Sequence, residues 1–237
     1  MPEALSVAIT ITIAIVGAES TGKTTLAAAL ATRLAADTGR RVAWVPELLR
    51  EWCERSGRTP RVHEQASILR AQHERIDAAA AAHDIVVCDT TALMTAVYSR
   101  IVFNDRSLDE RAATLHRRRM AATLLTAIDL PWVADGLQRD GPQVQGPVDA
   151  ALRELMQVHG IDYAVVSGVG EARVQHALAA VAPLLPLTPT LRSGSAQRPA
   201  KGLFTSLGTA TPRDAHRVWS CECCLPDQER ALRRLRS

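Results

Sequence analysis

The segment Gly17–Thr24, GAESTGKT, carries the clearest chemistry in the chain and fits G-x-x-x-x-G-K-[ST] in full. Glycines let a backbone curl until successive N–H groups point at phosphate oxygens. The N-terminus of a following helix adds about half a positive charge. Lys23 can reach the β- and γ-phosphates, and the Thr24 hydroxyl can ligate Mg²⁺, which takes oxygen ligands and keeps several waters. The pattern predicts a nucleoside triphosphate, ATP in the first instance, bound with Mg²⁺. Gly17, Ala18, Glu19, Ser20, Thr21, Gly22, Lys23, Thr24 and Thr25 form the predicted phosphate loop. Kinases, ATPases and switches all share such a loop, so other residues must decide the chemistry.

Carboxylates at predicted strand ends are the first candidates, because ligands of parallel α/β sheets bind at the carboxyl ends of the strands. Asp89 ends the apolar run IVVC and would lie beside the Mg²⁺; its plainer role is a helix cap. Glu47 follows the second predicted strand. It can accept a proton from an attacking hydroxyl or hold a ribose, or it can simply favour a helix start. Arg50, one turn on, faces either Glu47 or a phosphate. In WVADGLQRDG (132–141), Arg139 can fold over the transferring phosphoryl group, where charge stabilisation is most of the catalysis. The alternative there is an ordinary solvated loop.

Other charged or thiol clusters give weaker signals. Arg117, Arg118 and Arg119 diverge on any regular element and read as a solvated helix end. His216, Cys221, Cys223 and Cys224 lack the paired spacing of structural zinc sites, so the tail reads as a flexible reduced tail or a partner-docking helix rather than a metal site. Five cysteines, an odd count with three crowded together, do not make a secreted disulfide framework. Cys53 and Cys88 read as small buried residues, and His63, His73 and His83 as solvated.

These residues need a scaffold of alternating strands and helices. VAITITIAIV reads as strand one, RVAWVP as a short second strand and DIVVCD as a buried third. ATLLTAI (122–128) and DYAVVSG (162–168) supply the fourth and fifth. Helices are expected from Lys23 to about 37, Glu47 to about 55, Val62 to Ala82, from Thr90 or Thr91 onward, from Pro147 to His159, and from Glu171 to Ala182. The alternation predicts an α/β fold, a P-loop three-layer α/β/α arrangement with a five-stranded parallel sheet and an irregular C-terminal tail. Residues 1–183 form the expected domain, 184–213 a Pro/Ser-rich linker, and 214–237 a basic Cys-containing tail.

The chain has 237 residues, 47% hydrophobic but only 3% aromatic, so Ala, Leu, Val and Ile must build the core. A net charge of +3 is too weak to argue for nucleic acid, and no aromatic–basic interleaving supports single-strand binding. The apolar N-terminal stretch lacks a basic flank and is too short to span a bilayer. The expectation is a cytoplasmic protein, with no membrane partner and with homo-oligomerisation left open.

The segments GAESTGKTTL, VPELLRE (45–51), CDTT (88–91) and PWVADGLQRD (131–140) follow one another in an order and spacing that resembles one P-loop group. This is the nicotinamide riboside kinase domain of the bacterial NAD-biosynthesis regulator, with its AAA-like relatives. The resemblance covers about residues 8–182. It implies a nucleoside-kinase-like sheet and transfer of the ATP γ-phosphoryl group to the 5′-hydroxyl of a small nucleoside, nicotinamide riboside first. It further implies that Gly17–Thr25 hold the phosphates and that Asp89 serves the Mg²⁺ side. Glu47 would face the acceptor with Arg50 and Trp132 nearby, and Asp135–Gly136 would belong to a lid. Where the family reads D-G-x-R, this chain has Gln138, with Arg139 one residue later. Where the family places an aromatic after Pro-Glu, this chain has Leu48, leaving Trp44, Trp52 and Trp132 as stacking candidates. The competing expectation is a P-loop ATPase or nucleotide-dependent switch acting through a protein partner at the tail.

Overall fold

A computed structural model of the chain describes residues 10–133 and 141–185. Asp135, Gln138 and Arg139, the linker beyond residue 185, and the tail with His216, Cys221, Cys223 and Cys224 lie outside the described residues. Five parallel strands form one sheet: β1 (Ile11–Val16), β2 (Val42–Val45), β3 (Ile85–Asp89), β4 (Ala122–Thr126) and β5 (Ala164–Val166), in the order β2-β3-β1-β4-β5. The helices are α1 (Lys23–Thr38), α2 (Leu48–Ser56), α3 (Val62–Ala82), α4 (Ala92–Phe103), α5 (Asp109–Arg119), α6 (Gln145–Val158) and α7 (Glu171–Val181).

Alternation along the central strands assigns the layers. Ile11, Ile13 and Ile15 of β1, with Ile85, Val87 and Leu124, pack on α1 and α7. Val16 and Leu125 face α4, α5 and α6, while Val86 and Cys88 meet α3. The expected three-layer fold is therefore present, with a core of aliphatic and alanine side chains. Among the described residues, no helix is long and apolar enough to cross a membrane.

The strand order places a crevice. After β1 the chain passes beyond β3 to β2; after β3 it returns past β1 to β4. The loops leaving β1 and β3 thus diverge at the carboxyl edge, the position where open α/β sheets bind ligands. Register keeps the edge level, because Ile15 lies opposite Asp89 and Val45 opposite Cys88.

Most elements match the sequence expectations, with three differences. The fifth strand is shorter than 162–168 and α6 starts before Pro147, at Gln145. Helix α5 was marked in the sequence only by its arginine end. The three arginines do diverge: Arg117 donates to the His159 carbonyl at 3.0 Å, whereas Arg119 pairs with Asp77 at 3.1 Å. The histidine expectation holds for exposed His63, but His73 and His83 are partly buried, with His83 Nδ1 2.8 Å from the Ala79 carbonyl.

His116 on α5 was not singled out, yet it is buried between two hydroxyls. Nδ1 lies 3.1 Å from Thr91 Oγ1 and Nε2 lies 2.8 Å from Thr123 Oγ1. Burial, reinforced by nearby His73, pushes its pKa down to about 4 from 6.5. The unfolded chain therefore binds the proton more tightly than the native one. His116 contributes stability that is fully present above pH 6.5 and lost as pH falls towards 4, about 3 kcal/mol in all. Urea denaturation across that window should show this acid limb, and His116→Gln should flatten it.

Candidate nucleotide and phosphoryl-transfer site

The loop from Gly17 to Gly22 leaves β1 at the crevice and enters α1 at Lys23. Gly17 has φ +151, and a Cβ there would run into the Thr126 hydroxyl. Gly22 caps α1 in the left-handed conformation, φ 75, as does Ser20 within the loop, φ 56. Such reversals of hand gather N–H groups into an anion-binding concavity. The Thr21 hydroxyl donates to the Ala18 carbonyl at 2.7 Å and lies 2.7 Å from the Thr126 hydroxyl, which ties the loop to β4.

Lys23 is largely buried, and its Nζ donates to the Ala18 carbonyl at 2.7 Å. Its charge favours the ionised forms of both Glu47 and Asp89, so the loop lysine and the two strand-end carboxylates share one site. Thr24 donates its hydroxyl to Asp89. Arg50 adds positive potential at both carboxylates rather than at Glu47 alone. Thr25 lies on the exposed side of the first turn of α1.

Two carboxylates here carry raised pKa values. Burial is the main cause for Glu47, opposed by Lys23 and Arg50 and reinforced by the negative charges of Asp89 and Glu19. Burial also raises Asp89, against the Thr24 hydrogen bond and the charges of Lys23 and Arg50. Glu19 is thus a third carboxylate of the site, which its place inside the loop motif did not single out. Asp89 Oδ1 and Glu19 Oε2 are both buried without a hydrogen-bond partner. Three carboxylates against two cations, with orphaned oxygens, suit a further hard cation.

Mg²⁺ fits this donor set. The Thr24 hydroxyl and the Asp89 carboxylate are oxygen donors of the kind that would hold Mg²⁺ beside a phosphate, with phosphate and water supplying the remainder. Among the described residues, no group of three or more His, Cys, Asp or Glu is arranged to hold a metal alone.

The flank of the crevice beside Glu47 is built by α2 and α3. Glu47 caps α2, and its turn is held by Gln72 of α3, whose Oε1 accepts the Leu48 N–H at 2.7 Å. Leu48 and Leu49 are both buried. Trp52 packs with Leu49, Cys53 and Ile68, and the Arg58 guanidinium sits 4.9 Å above its ring, which removes it from the stacking candidates. Trp44 is 42% exposed on the edge strand β2. Trp132 is half-buried beside Val133, and the Ser20 hydroxyl receives the Val133 N–H at 2.8 Å. The glycine loop is thereby fastened to the backbone at Val133.

Sequence reading missed a second polar cluster. Arg173 of α7 is buried and pairs with Asp129 at 2.6 Å, while Asp129 also accepts the Gly168 N–H at 2.6 Å. Gln145 of α6 reaches the loop at the Glu19 carbonyl. No local pattern marks these residues.

Fold and glycine-loop motif define a P-loop protein of three-layer α/β/α architecture. Residues 12–173 match the AAA domain family, and the chain belongs to it. No curated protein matches the sequence. Among solved structures, a NadR protein in complex with NAD and AMP-PNP aligns over 77% of this chain and 52% of its own, with TM-score 0.61 and 19% identity. A NadR protein in complex with NR aligns over 76% and 52%, with TM-score 0.62 and 18% identity. A thymidylate kinase from Ehrlichia chaffeensis aligns over 74% and 99%, with TM-score 0.53 and 16% identity. The chain therefore spans about half the length of the NadR structures.

Proposed function

We propose that this protein transfers the γ-phosphoryl group of ATP to the 5′-hydroxyl of a small nucleoside, with nicotinamide riboside the first candidate acceptor. The observation that carries the proposal is the meeting of Lys23, Thr24, Glu47 and Asp89 at the switch point of the sheet. A pure binding loop has no use for a second, half-buried carboxylate whose proton affinity is raised. Glu47 has that character and sits at the start of α2, outside the phosphate loop.

Each residue has a role. Backbone N–H groups of Gly17–Thr25 hold the phosphates, and Lys23 neutralises charge as the γ-group departs. Thr24 and Asp89 would hold Mg²⁺, which supplies charge neutralisation on the phosphates. Glu47 accepts the proton of the acceptor hydroxyl as its oxygen bonds to the γ-phosphorus and the bond to ADP breaks. Arg50 steadies both carboxylates, and Trp132 borders the acceptor, with Asp135 assigned to the same role from the sequence alone. From the sequence alone, Arg139 is the candidate lid cation, one residue after the position where the family has arginine and this chain has Gln138.

The choice of acceptor draws on the bound NR and NAD in the NadR structures. A panel of nucleosides with Mg²⁺·ATP tests it. ADP should form only with the matching nucleoside, and mass spectrometry should find its 5′-phosphate. AMP-PNP binding without any phosphorylated nucleoside would overturn the kinase reading and leave an ATPase or switch.

A further inference from the structure

Two buried side chains outside the reacting groups grip the phosphate loop from behind. Arg173, on α7, is 4% exposed. Its Nη2 donates to the Thr21 carbonyl at 2.9 Å and the Ala127 carbonyl at 3.1 Å. Its Nη1 donates to Asp129 Oδ1 at 2.6 Å and the Gly168 carbonyl at 2.7 Å. Gln145, the first residue of α6, is 6% exposed, and its Nε2 donates to the Glu19 carbonyl at 2.7 Å. Because α6 and α7 lie in opposite helical layers, the loop is held from both faces of the sheet.

The carbonyls chosen have a consequence for the donors. A peptide unit is planar and trans, so its C=O and the next N–H point in opposite directions. Anchoring the Glu19 carbonyl on α6 turns the Ser20 N–H away from α6. Anchoring the Thr21 carbonyl on α7 turns the Gly22 N–H away from α7. Ser20 and Gly22 are also the two left-handed positions of the loop's interior, where donors converge on an anion. Without the two braces these peptide planes are free to rotate, and a triphosphate would have to order them on binding.

We propose that Arg173 and Gln145 are positioning residues that preset the N–H donors of the phosphate loop for the triphosphate. The proposal rests on reading Gly17–Thr25 as the phosphate site. Asp129 belongs to the same device, since it holds Arg173 in line and ties it to the loop after β5.

The test compares wild type with Gln145→Leu, Arg173→Met and Arg173→Lys in the full chain. It reads the Kd for Mg²⁺·AMP-PNP, the ³¹P shift of the bound β-phosphate, and Tm without ligand. Gln145→Leu and Arg173→Met should each weaken AMP-PNP about tenfold and move the ³¹P shift. Arg173→Lys should recover part of the affinity. Lowered Tm with Kd within twofold of wild type and an unmoved shift would overturn the proposal and make both residues simple core ties. Should Arg173→Met fail to fold, Gln145→Leu and Arg173→Lys decide alone. Wild type that does not bind AMP-PNP would instead overturn the phosphate-site reading itself.

Discussion

Lys23→Ala should lower ATP-dependent turnover by about 10²–10³-fold, the scale seen when a preset charge at a developing anion is removed. Two effects combine. The ammonium group is lost from the γ-phosphate, and the carboxylates of Glu47 and Asp89 lose a cation that favours their charged forms. Both carboxylates then move further towards protonation, which disfavours proton acceptance by Glu47 and metal binding by Asp89. Lys23→Met, which keeps most of the buried stem, should lose turnover equally while losing less Tm, because packing is retained. A coupled ADP assay and titration with AMP-PNP read the two effects separately. Wild-type turnover in Lys23→Ala would exclude the loop as the reacting phosphate site.

How much of this was legible in the sequence follows from the range of the interactions. The strand–loop–helix unit at 11–38 was legible because its signals are local: a β-branched run, fixed glycines, then Leu26, Leu30 and Leu34 one turn apart, all three buried. Val62–Ala82 was equally clear, as a long alanine-rich helix with Ile68, Leu69 and Ile76 facing inward. The level carboxyl edge was foreseeable from Asp89 and Glu47 at strand ends.

Helix α5 was harder to see, because its buried face is Ala112, Ala113 and His116 rather than a leucine stripe. Arg173 was invisible because its partner at Thr21 lies 152 residues away, and a lone arginine in the first turn of an amphipathic helix carries no local mark. Glu19 was read only as part of the loop, since its effect on Glu47 needs β1 and β2 to be brought to one edge. Short-range pattern thus marked the candidate groups, whereas the residues that pack around them arise from tertiary contacts.

Asp89→Asn tests whether the strand-end carboxylate is kept for chemistry or for the fold, because the two roles predict opposite signs. Burial raises the Asp89 pKa more than Thr24, Lys23 and Arg50 lower it. A folded pKa above the unfolded value of 3.8 means stability fully present below that pH and lost as pH rises through the folded pKa. At neutral pH the ionised carboxylate is therefore a net cost to the native state. Asparagine is nearly isosteric, still accepts the Thr24 hydroxyl and carries no charge. Asp89→Asn should therefore raise Tm at neutral pH and weaken its dependence on pH between acid and neutral. Turnover with Mg²⁺·ATP should fall about 10²–10³-fold, since a neutral amide is a poor Mg²⁺ ligand. A purely structural Asp89, drawing its value from Lys23 and Arg50, predicts the reverse: lower Tm and turnover reduced only with the folded fraction. Differential scanning calorimetry and the ADP assay on the same preparation separate the two, because only a carboxylate retained against its own solvation cost gains stability while losing activity.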